Sequence, residues 1–168
     1  MKIKFILLSV IFAGASYAAD AQTYASYQNE DAEAEAMINL LGVQKREAIA
    51  QLVPVTVEDS AAFWKLYDEY NNLNKKTAKI RLTLYEKTVH SYANMTPAVA
   101  DSLALQYFSN RVEQEKMAQD YYKKIKAATN SVVAFEFYQA EAYLLTQIRS
   151  QIMQQIPTYG QLINANKK

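Results

Sequence analysis

The side chains in this sequence that could do chemistry are few, and their spacing does not gather them. One histidine and no cysteine among 168 residues exclude thiol nucleophiles and thiolate metal sites, and leave acid–base work to carboxylates. Glu113 and Glu115, like Asp68 and Glu69, stand at separations that point to different sides of a helix, so neither pair converges on one proton. His90 lies near the end of a long helix-permissive run and reads as a surface side chain. Met37, Met95, Met117, Met153 and His90 are too scattered to assemble a metal site. The glycines, Gly14, Gly42 and Gly160, stand alone, and no phosphate-cradling turn can be built from them. The expectation is a non-enzyme with no catalytic residues, no metal and no cofactor, working without ATP.

Aromatic side chains are the chemistry the chain does carry: thirteen tyrosines, six phenylalanines and one tryptophan. Tyrosine and tryptophan join a large apolar face to a polar tip, which suits surfaces that are partly wet and partly adhesive. Trp64, Tyr67, Arg81 and Tyr85 are placed beside, not in, the apolar seam of their helix. With Lys75 and Lys79 they compose a candidate client-binding surface, because weak apolar contact plus mobile charge tolerates many unfolded sequences. The alternative is that the rings only form the edge of a core.

The elements that position these residues are set by punctuation. Between residues 55 and 156 there is no glycine and one proline, Pro97, so helices much longer than usual are predicted, folded back at the proline. A first helix spans Asp31–Leu52, with Met37, Leu40, Leu41, Ile49 and Leu52 as its stripe, Gly42 as a weak point and Pro54 as its stop. Thr56 caps a second helix, Val57–Tyr92, with Glu58 and Asp59 at the positive end of its dipole. Its seam reads Phe63, Leu66, Tyr70, Leu73, Thr77, Ile80 and Leu84, alternating steps of three and four as in a coiled coil.

Thr96 caps a third helix, Pro97–Ala128, whose seam of Leu103, Tyr107, Asn110, Gln114, Met117 and Tyr121 is polar in the middle. After a turn at Thr129-Asn130-Ser131, a fourth helix, Val132–Ile156, is apolar on more than one side and so needs several neighbours or a partner chain. The fold class is therefore all-α: an elongated helical hairpin with flanking helices, about four in all.

Residues 1–21 have the parts of a secretory signal peptide: Lys2 and Lys4, an apolar run from Phe5 to Ala15, and small residues before a cut ahead of Gln22. That run is too short for a stable span, and no later one approaches the ~20 apolar residues a span needs. The rest, 22–168, is expected to form one helical domain with flexible ends at 22–30 and 159–168. Without Lys2, Lys4 and Asp20 of the leader, 16 basic and 16 acidic side chains balance, so no global field draws nucleic acid. Local clusters remain, at Lys75, Lys76, Lys79, Arg81 and Lys87, and at Lys116, Lys123, Lys124 and Lys126.

Three segments carry a family resemblance. Phe63-Trp64-Lys65-Leu66-Tyr67-Asp68-Glu69-Tyr70 with Thr56, then Tyr92-Ala93-Asn94-Met95-Thr96, then Phe137-Tyr138-Gln139-Ala140-Glu141 through Ile148-Arg149 to Gln155-Ile156-Pro157 resemble the secreted Spy/CpxP-like helical proteins. The resemblance implies a periplasmic, all-helical homodimer that cradles unfolded clients without ATP, or an envelope-stress adaptor. The family's Leu-Thr-x-x-Gln signature is degraded to Val55-Thr56-Val57-Glu58-Asp59 and Met95-Thr96-Pro97-Ala98-Val99, where only the threonines carry over as caps. A structural or interaction protein of the envelope, and after it a metal-responsive sensor, are the alternative readings.

Overall fold

The computed structural model describes residues 42–155, together with 158, 160 and 161. The leader at 1–21, the 31–41 part of the first helix, the Ile156-Pro157 stop and most of the tail lie outside the described residues. Among the described residues there are four α-helices and no strand: α1 over 42–52, α2 Val57–Ser91, α3 Pro97–Ala128 and α4 Ser131–Gln155. A single 3-10 turn, Tyr92–Asn94, follows α2.

The helix starts follow from the caps. The Thr56 hydroxyl accepts from the Asp59 N–H at 3.2 Å, and the Thr96 hydroxyl from the Val99 N–H at 3.3 Å. Pro97 opens α3 where its missing N–H is not needed. Asn130, within the expected turn, is the residue that starts α4: its Oδ1 accepts from the N–H groups of Val132 and Val133 at 2.9 and 3.0 Å. Pro54 follows α1, whose last turn closes with the Val53 N–H donating to the Ile49 carbonyl at 3.0 Å.

α2 and α3 run antiparallel as the expected hairpin, at 1.5 Å per residue about 50 Å long. Cross-helix contacts follow its length: Tyr70 with Tyr121, Asn74 with Gln114, Thr77 with Asn110, and Thr88 with Tyr107. α1 and α4 pack on one flank of the hairpin, α4 reaching from Phe63 to the level of Arg81. The core there joins Ile49 of α1 and Val53 just after it, Phe63, Tyr67 and Tyr70 of α2, Ala118, Tyr121 and Ile125 of α3, and Val133, Ala134, Phe137 and Ala140 of α4. Phe137 is its centre, edge-on to Phe63, Tyr67 and Tyr70 with ring centroids 6.5, 6.3 and 5.2 Å away.

The seam of α2 differs from the sequence expectation. Phe63, Tyr70, Thr77 and Leu84 are buried as expected, but Tyr67, Asn74 and Tyr85 are buried in place of Leu66, Leu73 and Ile80. Leu73 and Ile80 are 39% and 48% exposed. A two-helix seam would face α3 alone. Tyr67 is enclosed by Lys45 of α1 and Phe137 of α4, whereas Asn74 and Tyr85 are buried against Gln114 and Tyr107 of α3. In α1 Ile49 is buried, as is Val53 just after it, and Leu52 is left outside.

Candidate functional site

The structure separates the six expected client-binding residues. Tyr67 is fully buried in the aromatic core, and Tyr85 is buried against the Tyr107 ring at 5.8 Å. Neither ring is beside the seam, as the spacing suggested. Both lie in it, and neither offers a face to a client in this fold. Trp64 is half-buried under Arg46, whose guanidinium lies 4.3 Å from the ring centroid and bonds Asp68 at 2.9 Å. Lys75 is half-buried, with its stem over Gly42: a Cβ there would meet Lys75 Cε at 3.2 Å, so the glycine admits the lysine. Lys79 is exposed.

Arg81 is drawn into a polar layer halfway along the hairpin. Its Nε and Nη2 donate to Asn110 Oδ1 at 3.2 and 3.1 Å, and Nη2 donates to Gln114 Oε1 at 2.6 Å. Gln114 Nε2 donates to Asn74 Oδ1, Asn110 Nδ2 donates to the Thr77 carbonyl, and the Thr77 hydroxyl donates to Asn74 Oδ1. Asn110 and Gln114 are the polar positions that interrupt the α3 seam in the sequence. Each finds a partner across the hairpin, and such cross-helix pairing fixes register where apolar side chains would slide.

A second buried polar group lies below this layer. Glu141 Oε2 accepts from Lys45 Nζ and from the Tyr70 hydroxyl, each at 3.0 Å. The side chains of Lys45 and Glu141 are 4% and 2% exposed, and Lys45 Nζ also sits 5.2 Å from the Tyr70 ring centroid. Burial, and then repulsion from the Glu141 carboxylate, push the Tyr67 and Tyr70 hydroxyls well above the ordinary value for tyrosine. Among the described residues, Tyr67 Oη and Glu141 Oε1 are buried without a hydrogen-bond partner. The group ties α1, α2 and α4 together. No sequence spacing announces it, since its charges stand 96 residues apart.

Exposed apolar side chains on α3 are what the sequence reading passed over. Leu105, Phe108 and Val112 are 67%, 64% and 68% exposed, while Leu103, Asn110 and Gln114 of the same helix are buried. Their i, i+3, i+7 spacing puts them on one outer stripe, and that spacing is visible in the sequence once the inner seam is subtracted. His90 is exposed. Among the described residues no group of three His, Cys, Asp or Glu side chains is placed to hold a metal ion. No described helix is long and apolar enough to cross a membrane.

No family model matches the chain, and neither a characterised protein nor a solved structure shows significant similarity to it. Of the described residues in the segments that carry the Spy/CpxP-like resemblance, Phe63, Tyr67, Tyr70, Phe137 and Ala140 lie in the core, and Tyr92–Asn94 forms the turn before α3.

Proposed function

We propose that this protein is an exported, non-catalytic helical binding protein that holds unfolded or partner polypeptides without ATP, as a periplasmic chaperone or envelope-stress adaptor would. The observation that carries this reading is the Leu105, Phe108 and Val112 stripe: three large apolar side chains, each about two-thirds exposed, on a helix whose other face is already packed. Apolar surface held in water on a rigid rod is favourably covered by another chain. The leader-like residues 1–21 and the Spy/CpxP-like segments support the compartment and the class. The contact surface moves from Tyr67 and Tyr85, which serve the core, to the outer face of α3. Trp64, Lys75 and Lys79 remain accessible in part as an accessory patch on α2.

Light scattering from a chemically unfolded substrate, diluted into buffer without nucleotide, tests the reading. The protein at several-fold molar excess should suppress aggregation. The triple replacement Leu105→Gln, Phe108→Gln and Val112→Gln should lose that effect with thermal stability unchanged, since glutamine keeps the helix and no core contact is removed. Unchanged aggregation with the parent protein rejects the proposal. The same stripe suits pairing of two copies, the homodimer this class implies; a solution mass of one chain for the parent would remove the dimer from the reading.

A further inference from the structure

A cleft between α2 and α4, lined also by Gly42 and Lys45 of α1 and Gln114 of α3, brings cationic and hydrocarbon side chains together. Its internal room is about 70 Å³, enough for several heavy atoms and well above the space of one water. Arg81 and Arg149 both enter it, and both donate through Nη2 to the same acceptor, Gln114 Oε1, at 2.6 and 3.2 Å. Two guanidinium groups are thus held within the sum of those distances by one neutral amide oxygen. Among the described residues no carboxylate pairs with either one. Lys45, which also lines the cleft, is already neutralised by Glu141, whereas Lys75 adds a further positive charge.

Convergence of like charges without a counter-ion is unfavourable, and a partly buried anion relieves it. Burial, followed by the charges of Arg149 and Arg111, already pushes the Arg81 guanidinium below its ordinary value. The spare donors also suit an anion: among the described residues, Arg81 commits Nε and Nη2 within the polar layer, and Arg149 commits only Nη2. The hydrocarbon lining is supplied by Leu82, Leu145, Ile148 and Ile152.

We propose that this cleft binds a carboxylate carrying a short hydrocarbon group, with the charge bridging Arg81 and Arg149 and the hydrocarbon lying on Leu145, Ile148 and Ile152. A phosphate would satisfy the arginines and leave the walls uncovered, while an alcohol would cover the walls and leave the arginines unpaired. The site goes beyond the polypeptide-holding reading and does not depend on it, because the α3 stripe takes no part.

Calorimetric titration of the whole protein with hexanoate, acetate, inorganic phosphate and hexanol tests the proposal. Hexanoate should bind saturably and at least about tenfold more tightly than acetate or phosphate, since its extra methylenes are removed from water, and hexanol should not bind. A short peptide ending in leucine, as free acid and as amide, distinguishes the source. Binding of the free acid but not the amide assigns a polypeptide C-terminus, and binding of hexanoate alone assigns a small organic acid; both uphold the site. Arg149→Gln, which loses one hydrogen bond, should weaken binding by about tenfold or more. Ile152→Glu, which sets a fixed carboxylate in the cleft, should abolish it and guards against misfolding of the first variant. No saturable binding of either acid, equal binding of acetate or hexanol, or unchanged affinity in both folded variants overturns the proposal.

Discussion

Replacing Glu141 by leucine is the most informative single perturbation, because three helices meet at its carboxylate. In the parent, Oε2 takes the Lys45 ammonium and the Tyr70 hydroxyl, each at 3.0 Å, with both charged side chains under 5% exposed. Glu141→Leu strands the ammonium in the core and orphans a hydroxyl. Breaking a buried ion pair from one side costs about 3–5 kcal/mol, since the remaining charge keeps its desolvation penalty. Lys45→Met should cost a similar amount by stranding the carboxylate. Such a loss is a large share of the ~5–15 kcal/mol that holds a domain together.

The combined replacement Lys45→Met, Glu141→Leu and Tyr70→Phe removes both charges and the dependent hydroxyl together, leaving apolar groups of similar volume. It should return to within about 1 kcal/mol of the parent or exceed it, because the pair's mutual attraction does little more than offset its desolvation. Urea unfolding followed by helical circular dichroism gives each free energy by linear extrapolation. Single replacements that each cost less than about 1 kcal/mol, or a triple variant as unstable as the singles added together, would refute the reasoning. Either result would mean that α1 does not seal this group against α4.

The observed seam of α2 makes an opposite prediction for adjacent residues: Tyr67→Ala should cost about 3–5 kcal/mol, whereas Leu73→Ala and Ile80→Ala should each cost less than about 1 kcal/mol, as read from urea midpoints. High pH probes the same core. Below the ordinary tyrosine value of 10.0, Tyr67 and Tyr70 hold their protons in both states and stability is independent of them. Above it the unfolded chain releases protons that the folded chain retains, so stability should fall by up to about 1.4 kcal/mol per pH unit for each tyrosine. Tyr70→Phe should flatten that fall between pH 10 and 11 in the urea midpoint, and an equally steep fall in the variant would contradict it.

Much of the fold was legible before any coordinates. The capping threonines Thr56 and Thr96, the hinge proline Pro97 and the lack of glycine between residues 55 and 156 mark α2 and α3 to within a residue, because helix starts and stops are local backbone chemistry. The polar positions Asn110 and Gln114 are legible as part of the α3 seam from their spacing alone. The candidate site was much less legible. Tyr67, Tyr85 and Arg81 carry an interface-like composition, and composition cannot tell a ring on the surface from a ring in the core. Leu105, Phe108 and Val112 are ordinary in type and are distinguished only by the face they occupy.

The sequence by itself determined that this chain makes long rods, where they begin, and where they turn back, since those outcomes depend on neighbours within a few residues. Only tertiary structure decided which side of each rod is inside. With α1 and α4 on one flank of the hairpin, Tyr67 is enclosed, Lys45 and Glu141 meet across 96 residues, and Arg81 and Arg149 are brought to one amide oxygen. A helix presents its side chains all around its axis, so burial is chosen by the elements that pack against it and not by its own order of residues.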